Sequence, residues 1–570
     1  MNGTVLIAAF QTPLSTESML KYDFFDLYPN DGGGGFIMRK ELPVAGDRAV
    51  TEIITQHNGL SVYGTLPELD YHIFDDWINI ERCSWINRLY FLVPLARVAR
   101  LDNDQKLARL VVETMLYFKR TQRPPASIEA VLLLDKEITR RRNEEYNEGK
   151  GSNGQPVPYQ WYDFQPAARV IHFIHSLVFL RDLKCISDSE ADELADSIFE
   201  HTQVIFRQES VASLRRGNHQ ALRGLALLYG GCFYGNSEFI ELGKKIINFH
   251  IRNDFAGDGL LLEASPTYHC FETWISRDAC YLAEKYGFSL ENEAVNQFKK
   301  TARAARMVCR PDNKATLLND GCNFDMQAFI TTLPEDDTLK NEEYSFLECN
   351  NIAVWRPENW YMLMDMSHFT GKFSHYHAGK NAINLWYKKR PFITDSGCCD
   401  YDAPEFKGFF KNAEAHASLL VDGTGDGTVQ GTYNWLQYAE LQVSAWNNGT
   451  VSGVLTSTDP NWKNVSWNRK VHAAGDCIDI MDEITSDKEH RYEFIFPLAP
   501  ECKAEITGKR VHIENHGEVL SVEFSSDELL TIGLRPSLWC DDFEIRNSRA
   551  IRVMLIAQNG SLKSRITPGK

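Results

Sequence analysis

The sequence has no hydrophobic run long enough to cross a lipid bilayer. Its longest apolar runs, Val5 to Phe10 and Val131 to Leu134, are far shorter than the roughly 20 residues that a membrane-spanning helix needs. The first residues also lack the basic stretch of a secretory leader. The chain as written is therefore expected to be soluble and cytoplasmic, or periplasmic or secreted if a leader was removed.

Positive charge and paired cysteines are also scarce. The formal net charge is -17, which argues against a nucleic-acid partner because phosphate binding needs a basic footprint. The 13 cysteines form no CxxC motif and are scattered singly, apart from Cys398-Cys399. This pattern is typical of a reduced compartment and predicts no disulfide framework.

The hydrophobic periodicity changes once along the chain, so the 570 residues are expected to form two domains. Residues 1–340 are predicted to be helical with an N-terminal extension, and residues 341–570 to be an antiparallel β-sandwich. The polar segment 311–345 is interpreted as a linker or edge. The tetraglycine Gly32–Gly35 lacks the Gly-Lys-Ser/Thr of a phosphate loop and is interpreted as a flexible loop.

Two motifs in the helical half stand at predicted helix starts. Asn218 and His219 follow the helix breaker Gly217, and an N-cap is the simpler interpretation of Asn218. Ser265-Pro266 opens a second helix as N-cap and first residue, with Tyr268 and His269 behind them. Because helix N-termini carry partial positive charge, two of them at one end of a helical domain could bind a carboxylate.

Four residues in the β half could converge on one site. His375 and His377 precede a predicted strand, Asp395 follows the next apolar run, and His416 precedes another strand. Each gap is about one strand and a turn. Three histidines and an aspartate this close together favour a site over isolated polar residues, although their spacing matches no standard zinc motif.

Together these motifs resemble the heparinase II/III-like polysaccharide lyases, and most closely the broad-specificity glycosaminoglycan lyases among them. The resemblance is carried by Gly217-Asn218-His219, by residues 263–269, by residues 375–378 with 391–397, and by residues 416–423. It implies an (α/α) toroid followed by stacked antiparallel sheets, with a substrate cleft between them. Any anionic substrate would have to meet locally positive charge in an otherwise negative protein.

The resemblance also implies a role for each residue. Asn218 would neutralise a uronate carboxylate, Tyr268 would be the catalytic tyrosine, and His375 would be the base. His377, Asp395 and His416 would hold one structural divalent ion, zinc or manganese. His219 and His269 are predicted to bind the substrate. The positive charge that would lower the pKa of Tyr268 could come from His219, His269 or a nearby Arg.

The implied reaction is β-elimination at a uronate, which gives a product with a C4–C5 double bond. Tyr268 alone could serve syn elimination, whereas anti elimination would place His375 on the opposite face of the sugar.

Three alternatives stay open. The chain could be an alginate or oligouronate lyase, a toroidal glycoside hydrolase using two of Asp258, Glu263 and Glu272, or a non-catalytic glycan-binding protein with Trp161, Trp274 and Trp386 as sugar platforms. The oligomeric state is also left open.

Overall fold

The computed structural model describes residues 2–21, 47–56, 64–72, 86–141, 159–321, 326–336, 339, 342–367, 375–399, 401, 403–430, 434–447, 449–541 and 544–569. The chain divides into two compact units. The helical unit comprises residues 1–255, 270–299 and 331–333, and the β unit comprises residues 256–269, 300–330 and 334–570. The tetraglycine Gly32–Gly35 lies outside the described residues.

Helices account for most of the described residues before residue 332. They are α1 (Gly3–Ala9), α2 (Thr16–Lys21), α3 (Asp47–Thr55), α4 (Leu92–Asp102), α5 (Gln105–Thr121), α6 (Ile128–Arg141), α7 (Gln165–Leu180), α8 (Asp188–Val211), α9 (Asn218–Tyr234), α10 (Ser237–Asn253), α11 (Pro266–Tyr286), α12 (Asn292–Met307) and α13 (Met326–Thr331). A short hairpin of β1 (Gly64–Thr65) and β2 (Glu68–Leu69) also lies in this part of the chain.

Local sequence signals explain where several of these helices begin. Ser187 and Glu190 form a capping box at the start of α8, and Asp104 caps α5 through its side chain. Such caps satisfy backbone N–H groups that have no partner inside the helix. Every residue of α7 is buried, so this helix lies in the core of the helical unit.

The strands after residue 342 all belong to the β unit. They are β3 (Tyr344–Leu347), β4 (Ile352–Trp355), β5 (Trp360–Asp365), β6 (Ala382–Tyr387), β7 (Arg390–Ile393), β8 (Leu419–Val421), β9 (Thr428–Gln430), β10 (Asn434–Gln437), β11 (Ala439–Asn447), β12 (Thr450–Ser457), β13 (Ser466–Ala474), β14 (Cys477–Thr485), β15 (His490–Leu498), β16 (Lys503–Thr507), β17 (Arg510–Asn515), β18 (Glu518–Ser525), β19 (Thr531–Trp539), β20 (Arg546–Ala557) and β21 (Gly560–Pro568).

Two antiparallel sheets form the body of this unit. One has the order β11-β12-β13-β14-β21-β18-β17-β16, and the other runs β19-β20-β15-β7-β6-β5-β4-β3 with β8 paired to β15. Their inner faces share one core, to which Trp355 and Leu385 contribute from one sheet and Trp467 and Ile480 from the other. Strands β4 to β6 are buried on both faces, whereas β13 and β14 alternate between buried and more exposed residues.

The predicted order of helices followed by antiparallel strands is confirmed. The linker interpretation is wrong for residues 315–321, which are all buried and group with the sheets. None of the helices in the described part of the chain is long and apolar enough to cross a bilayer. The cysteines that the structure describes are free thiols.

Gly397 marks a close approach of two segments in the β unit. Its φ is +84°, and its backbone pairs with that of Cys540. A Cβ atom added at Gly397 would lie 1.9 Å from the carbonyl oxygen of Cys540. Gly475 also has a positive φ, of +56°, but a Cβ there would meet nothing within 4 Å.

We therefore expect Gly397→Ala to destabilise the protein much more than Gly475→Ala. Both variants place a side chain at positive φ, which costs about 1 kcal/mol, but only Gly397→Ala adds a backbone clash, which brings its loss above roughly 2 kcal/mol. Urea denaturation of the two variants and the wild type measures the difference. Equal losses of unfolding free energy would show that the clash is relieved at no cost.

Candidate active site

Tyr268 is placed by the start of helix α11. The predicted cap is confirmed, because the helix begins at Pro266 and the Ser265 hydroxyl accepts a hydrogen bond from the Tyr268 amide at 3.4 Å. The same hydroxyl donates to the Asp320 carbonyl at 2.9 Å. The cap thus links the helix start to the segment that carries Asp320.

Tyr268, His375 and Tyr401 form a compact cluster within the β unit. The Tyr268 and His375 rings stack, with centroids 3.7 Å apart and an interplanar angle of 24°. The hydroxyl oxygens of Tyr268 and Tyr401 lie 2.9 Å apart. Tyr401 donates to an Asp320 carboxylate oxygen at 3.0 Å, so Tyr268 is linked to this buried carboxylate through Tyr401.

Asp320 connects both histidines of the His-Tyr-His motif. His375 Nδ1 lies 2.6 Å from one carboxylate oxygen, and His377 Nε2 lies 2.7 Å from the other. Asp320 itself is only 2% exposed. Burial alone would raise the pKa of this carboxyl, but the nearby Lys411 and the hydrogen bonds from the two histidines lower it well below its ordinary value.

The two histidines have opposite electrostatic environments. Burial would lower the pKa of His375, but Glu263 and Asp320 outweigh it and the net shift is upward. The Glu263 carboxylate lies 3.5 Å from His375 Nε2. Burial lowers the pKa of His377 to about 4, against the opposing effect of Asp320. The surroundings therefore favour the protonated form of His375 and the neutral form of His377.

The stacking contradicts the expectation that Tyr268 and His375 flank a sugar from opposite faces. Rings 3.7 Å apart are in van der Waals contact, and no sugar ring fits between them.

His269 does not lie where a substrate contact would need it. It is completely buried, its Nδ1 accepts a hydrogen bond from the Leu261 amide at 3.2 Å, and its Nε2 lies 3.0 Å from the Thr301 carbonyl. Both ring nitrogens of His269 therefore contact backbone groups, one at Leu261 and one at Thr301. The structure therefore gives His269 a structural role in place of the predicted substrate contact.

The predicted metal ligands are neighbours, but they do not present three free donor atoms. His416 Nδ1 lies 2.7 Å from Asp395 and its Nε2 lies 3.1 Å from the Phe410 carbonyl. The His377 and His416 ring centroids are 5.4 Å apart. Among the residues that the structure describes, the potential ligand atoms that converge within 4.8 Å are those of Asp320, His377 and Cys398. The metal assignment stays a prediction, and no step proposed below depends on a metal.

Asn218 lies in the helical unit, at the first residue of α9. The N-cap interpretation is wrong, because Gly217 occupies the cap position with a φ of +131° and no side chain caps this helix. Within the described part of the chain the Asn218 side chain has no hydrogen bond, and the residue is partly exposed. Its amide is therefore available to a ligand beside a helix N-terminus.

A network of ion pairs lies beside the start of helix α9. Arg223 is buried and donates to Glu209 at 2.5 Å and to Asp163 at 2.8 Å. Asp163 also pairs with Nδ1 of His219, whose side chain is 48% exposed. His219 is thus oriented by a carboxylate while its ring remains accessible, as its predicted substrate contact requires.

Sequence reasoning missed Asp320, Tyr401, Glu263 as a partner of His375, and Lys411. Glu263 was considered only as a candidate hydrolase carboxylate. Asp320 sits in Leu318-Asn319-Asp320-Gly321, and the apolar run before it was the one available sign of burial. Tyr401 and Lys411 lie in no motif that periodicity could single out.

The heparinase II/III N-terminus family model matches residues 37–340, and the heparinase II/III-like C-terminal model matches residues 340–567. The chain therefore belongs to the heparinase II/III-like family, which confirms the resemblance read from the sequence. The heparin-sulfate lyase of Pedobacter heparinus is 22% identical over 291 residues, which is 45% of this chain and 42% of that protein. The chain thus aligns with less than half of this relative.

Solved structures show the same fold. A crystal structure of heparinase III has a TM-score of 0.66 at 15% identity, covering 85% of this chain and 77% of that one. The heparan sulfate lyase HepC mutant of Pedobacter heparinus gives 0.64 at 15%, covering 93% and 84%. The chondroitin AC lyase of Streptomyces coelicolor A3 gives 0.55 at 10%, covering 95% and 83%. The predicted fold class, an (α/α) toroid followed by an antiparallel β-sandwich, is thereby confirmed.

The network near Asn218 gives a pH-dependent prediction at Asp135. Burial raises the pKa of Asp135 to about 6, with Asp163 adding to the shift. A carboxyl whose folded pKa is raised stabilises the fold only when protonated, so its cost grows as pH rises from about 4 through 6. Asp135→Asn should therefore stabilise the protein by up to about 3 kcal/mol above pH 6 and have no effect below pH 4.

Thermal unfolding across this pH range measures the effect. Asp196→Asn is the matched control, because Asp196 is exposed and has no ion pair in the described part of the chain. A gain for Asp135→Asn that is the same at pH 4 and pH 8 would contradict the prediction.

Proposed function

We propose that this protein is a polysaccharide lyase that cleaves uronic-acid-containing polysaccharides by β-elimination. The observation that carries the proposal is the Tyr268 cluster, in which the hydroxyl lies 2.9 Å from Tyr401 and the ring stacks on His375. His375 and Tyr401 both bind the buried carboxylate of Asp320, and Tyr268 contacts both of them, an arrangement that favours an acid–base centre.

The reaction removes the C5 proton of a uronate, which is α to a carboxylate. Charge then develops on that carboxylate, and a donor must stabilise it. The Asn218 amide suits this role because it donates without titrating and has no hydrogen bond of its own within the described chain. The accessible ring of His219 is proposed to bind the same substrate group.

Tyr268 is proposed to take the C5 proton and to return it to the leaving O4. A phenol acts as a base only if its pKa is lowered by positive charge nearby. His375 supplies that charge, because its own pKa is raised and its ring lies directly against Tyr268. This arrangement assigns to His375 the electrostatic role that the sequence had given to His219 and His269.

Tyr401 and Asp320 support the proton transfer. Tyr401 donates its one proton to Asp320, so its oxygen can accept a hydrogen bond from neutral Tyr268. When Tyr268 is a phenolate, the Tyr401 proton can turn towards it. The pair therefore accommodates both protonation states of Tyr268 without moving a heavy atom.

The proposed substrates are glycosaminoglycans of the hyaluronan, chondroitin sulfate and heparan sulfate types. The similarity to a heparin-sulfate lyase and the fold shared with a chondroitin lyase support this class over alginate. Trp161, Trp274 and Trp386 are at most 6% exposed, so they offer no open sugar platform of the kind a purely binding protein would need.

Tyr268→Phe is expected to lose at least about 100-fold in kcat/KM, because it removes the hydroxyl that moves the proton. The assay follows the ultraviolet absorbance of the C4–C5 double bond on hyaluronan, chondroitin, heparan and alginate. Tyr492→Phe is the matched control, since its hydroxyl donates to the Gln558 carbonyl at 3.0 Å, outside the cluster. Near wild-type turnover by folded Tyr268→Phe refutes the assignment, and cleavage without ultraviolet absorbance indicates a hydrolase.

A further inference from the structure

The β unit has two cavities that are both lined by the segment 309–315 and by the hairpin of β6 and β7. The first has a volume of about 320 Å³ and includes Arg310, Lys314, Arg390 and Arg546 in its lining. The second has a volume of about 440 Å³ and includes Arg356, Lys388 and Lys389. We call these seven side chains the basic surface. Tyr268, His375 and Tyr401 line neither cavity.

The basic surface concentrates positive charge on a protein whose formal net charge is -17. Four carboxylates line the same two cavities: Asp312, Glu501, Asp541 and Glu358. The cations therefore outnumber the anions here, the reverse of the chain as a whole. Such a local excess attracts an anionic ligand and raises its rate of association.

Three of these cations are not neutralised by the protein. Arg310 pairs with Asp312 at 2.8 Å, and Arg546 pairs with Glu501 and Asp541. By contrast, Lys314, Lys389 and Arg390 have no ion pair within the described part of the chain. Lys389 lies in the tight turn at a positive φ of 63°, and both Lys389 and Arg390 are exposed.

The first cavity also contains tryptophans whose indole N–H groups lack an acceptor. Trp386 is 1% exposed and Trp539 is 5% exposed. Both indole nitrogens, and Nε of Arg546, are buried without a hydrogen-bond partner in the structure. A buried donor without an acceptor is unfavourable, and a ligand oxygen would satisfy it.

We infer that the basic surface is a second, non-catalytic binding site for an anionic oligosaccharide. Carboxylate or sulfate groups would pair with Lys314, Lys389 and Arg390, and a sugar oxygen would accept from the indole of Trp539. The inference rests on the proposed function for its ligand class. The proposed role of the basic surface is to bind polysaccharide at a distance from the reacting bond. Cleavage of long polymers should therefore depend on this surface, and cleavage of short substrates should not.

The test is a calorimetric titration of the full chain carrying Tyr268→Phe, so that the ligand is not consumed. The probe is a size-defined heparan sulfate oligosaccharide. The surface variant is Lys314→Ala/Lys389→Ala/Arg390→Ala. The control is Lys463→Ala/Lys470→Ala/Lys509→Ala, which removes the same charge from exposed positions of the same unit that line neither cavity. The comparison thus separates the surface from net charge.

Two binding events are expected for the parent and the control, with one of them weakened about tenfold or more in the surface variant. Equal binding by the two triple variants overturns the inference, and so does equal binding of polyglutamate, which has carboxylates but no sugar rings. If the surface variant misfolds, Trp539→Phe replaces it: about fivefold weaker binding supports the site and unchanged binding overturns it. Failure of the lyase proposal is read separately, as absence of ultraviolet-absorbing product from the wild type.

Discussion

Asp320 is a buried carboxylate, and the candidate site depends on keeping it charged. Burying a lone carboxylate costs several kcal/mol, whereas each charge-assisted hydrogen bond contributes roughly 1.5–3 kcal/mol. Asp320 has such bonds from His375, His377 and Tyr401, and Lys411 adds a cation nearby. Because one carboxylate orients all three rings, moving any of them disturbs the others.

This constraint explains why His375 stacks on Tyr268. Its Nδ1 is bound to Asp320 and its Nε2 faces Glu263, so both edges of the ring are fixed and one face is left for Tyr268. Two carboxylates beside one imidazole favour its protonated form. A cationic ring against a phenol in turn favours the phenolate. In the proposed mechanism this effect makes Tyr268 able to act as the base.

Much of the fold follows from the sequence, because periodicity and caps are local. Ser265 marks a helix start that the structure confirms, and Ser187 and Asp104 cap other helices through equally local contacts. Asn218 was misread as a cap since only the backbone shows that Gly217, at positive φ, takes that position.

From the sequence, the residues of the candidate site could be predicted only where they belong to a family motif. Tyr268 and His375 were identified by family resemblance, but their contact joins residues 107 positions apart in the sequence, a distance that no local pattern encodes. Asp320 lies in a polar segment that resembles a linker, and its burial comes from partners 55 and 57 residues away. The geometry of the candidate site depends on long-range contacts of this kind, which the local sequence pattern does not reveal.

The most direct test of this account is the activity of Asp320→Asn on the best polysaccharide of the panel, measured below its melting temperature. An amide keeps the shape of the side chain but removes the charge that orients His375, so kcat/KM should fall at least about 100-fold. Asp258→Asn is the control, because that carboxylate accepts backbone N–H groups of Cys349 and Asn350 away from the cluster. A folded Asp320→Asn protein with wild-type kcat/KM would contradict the account.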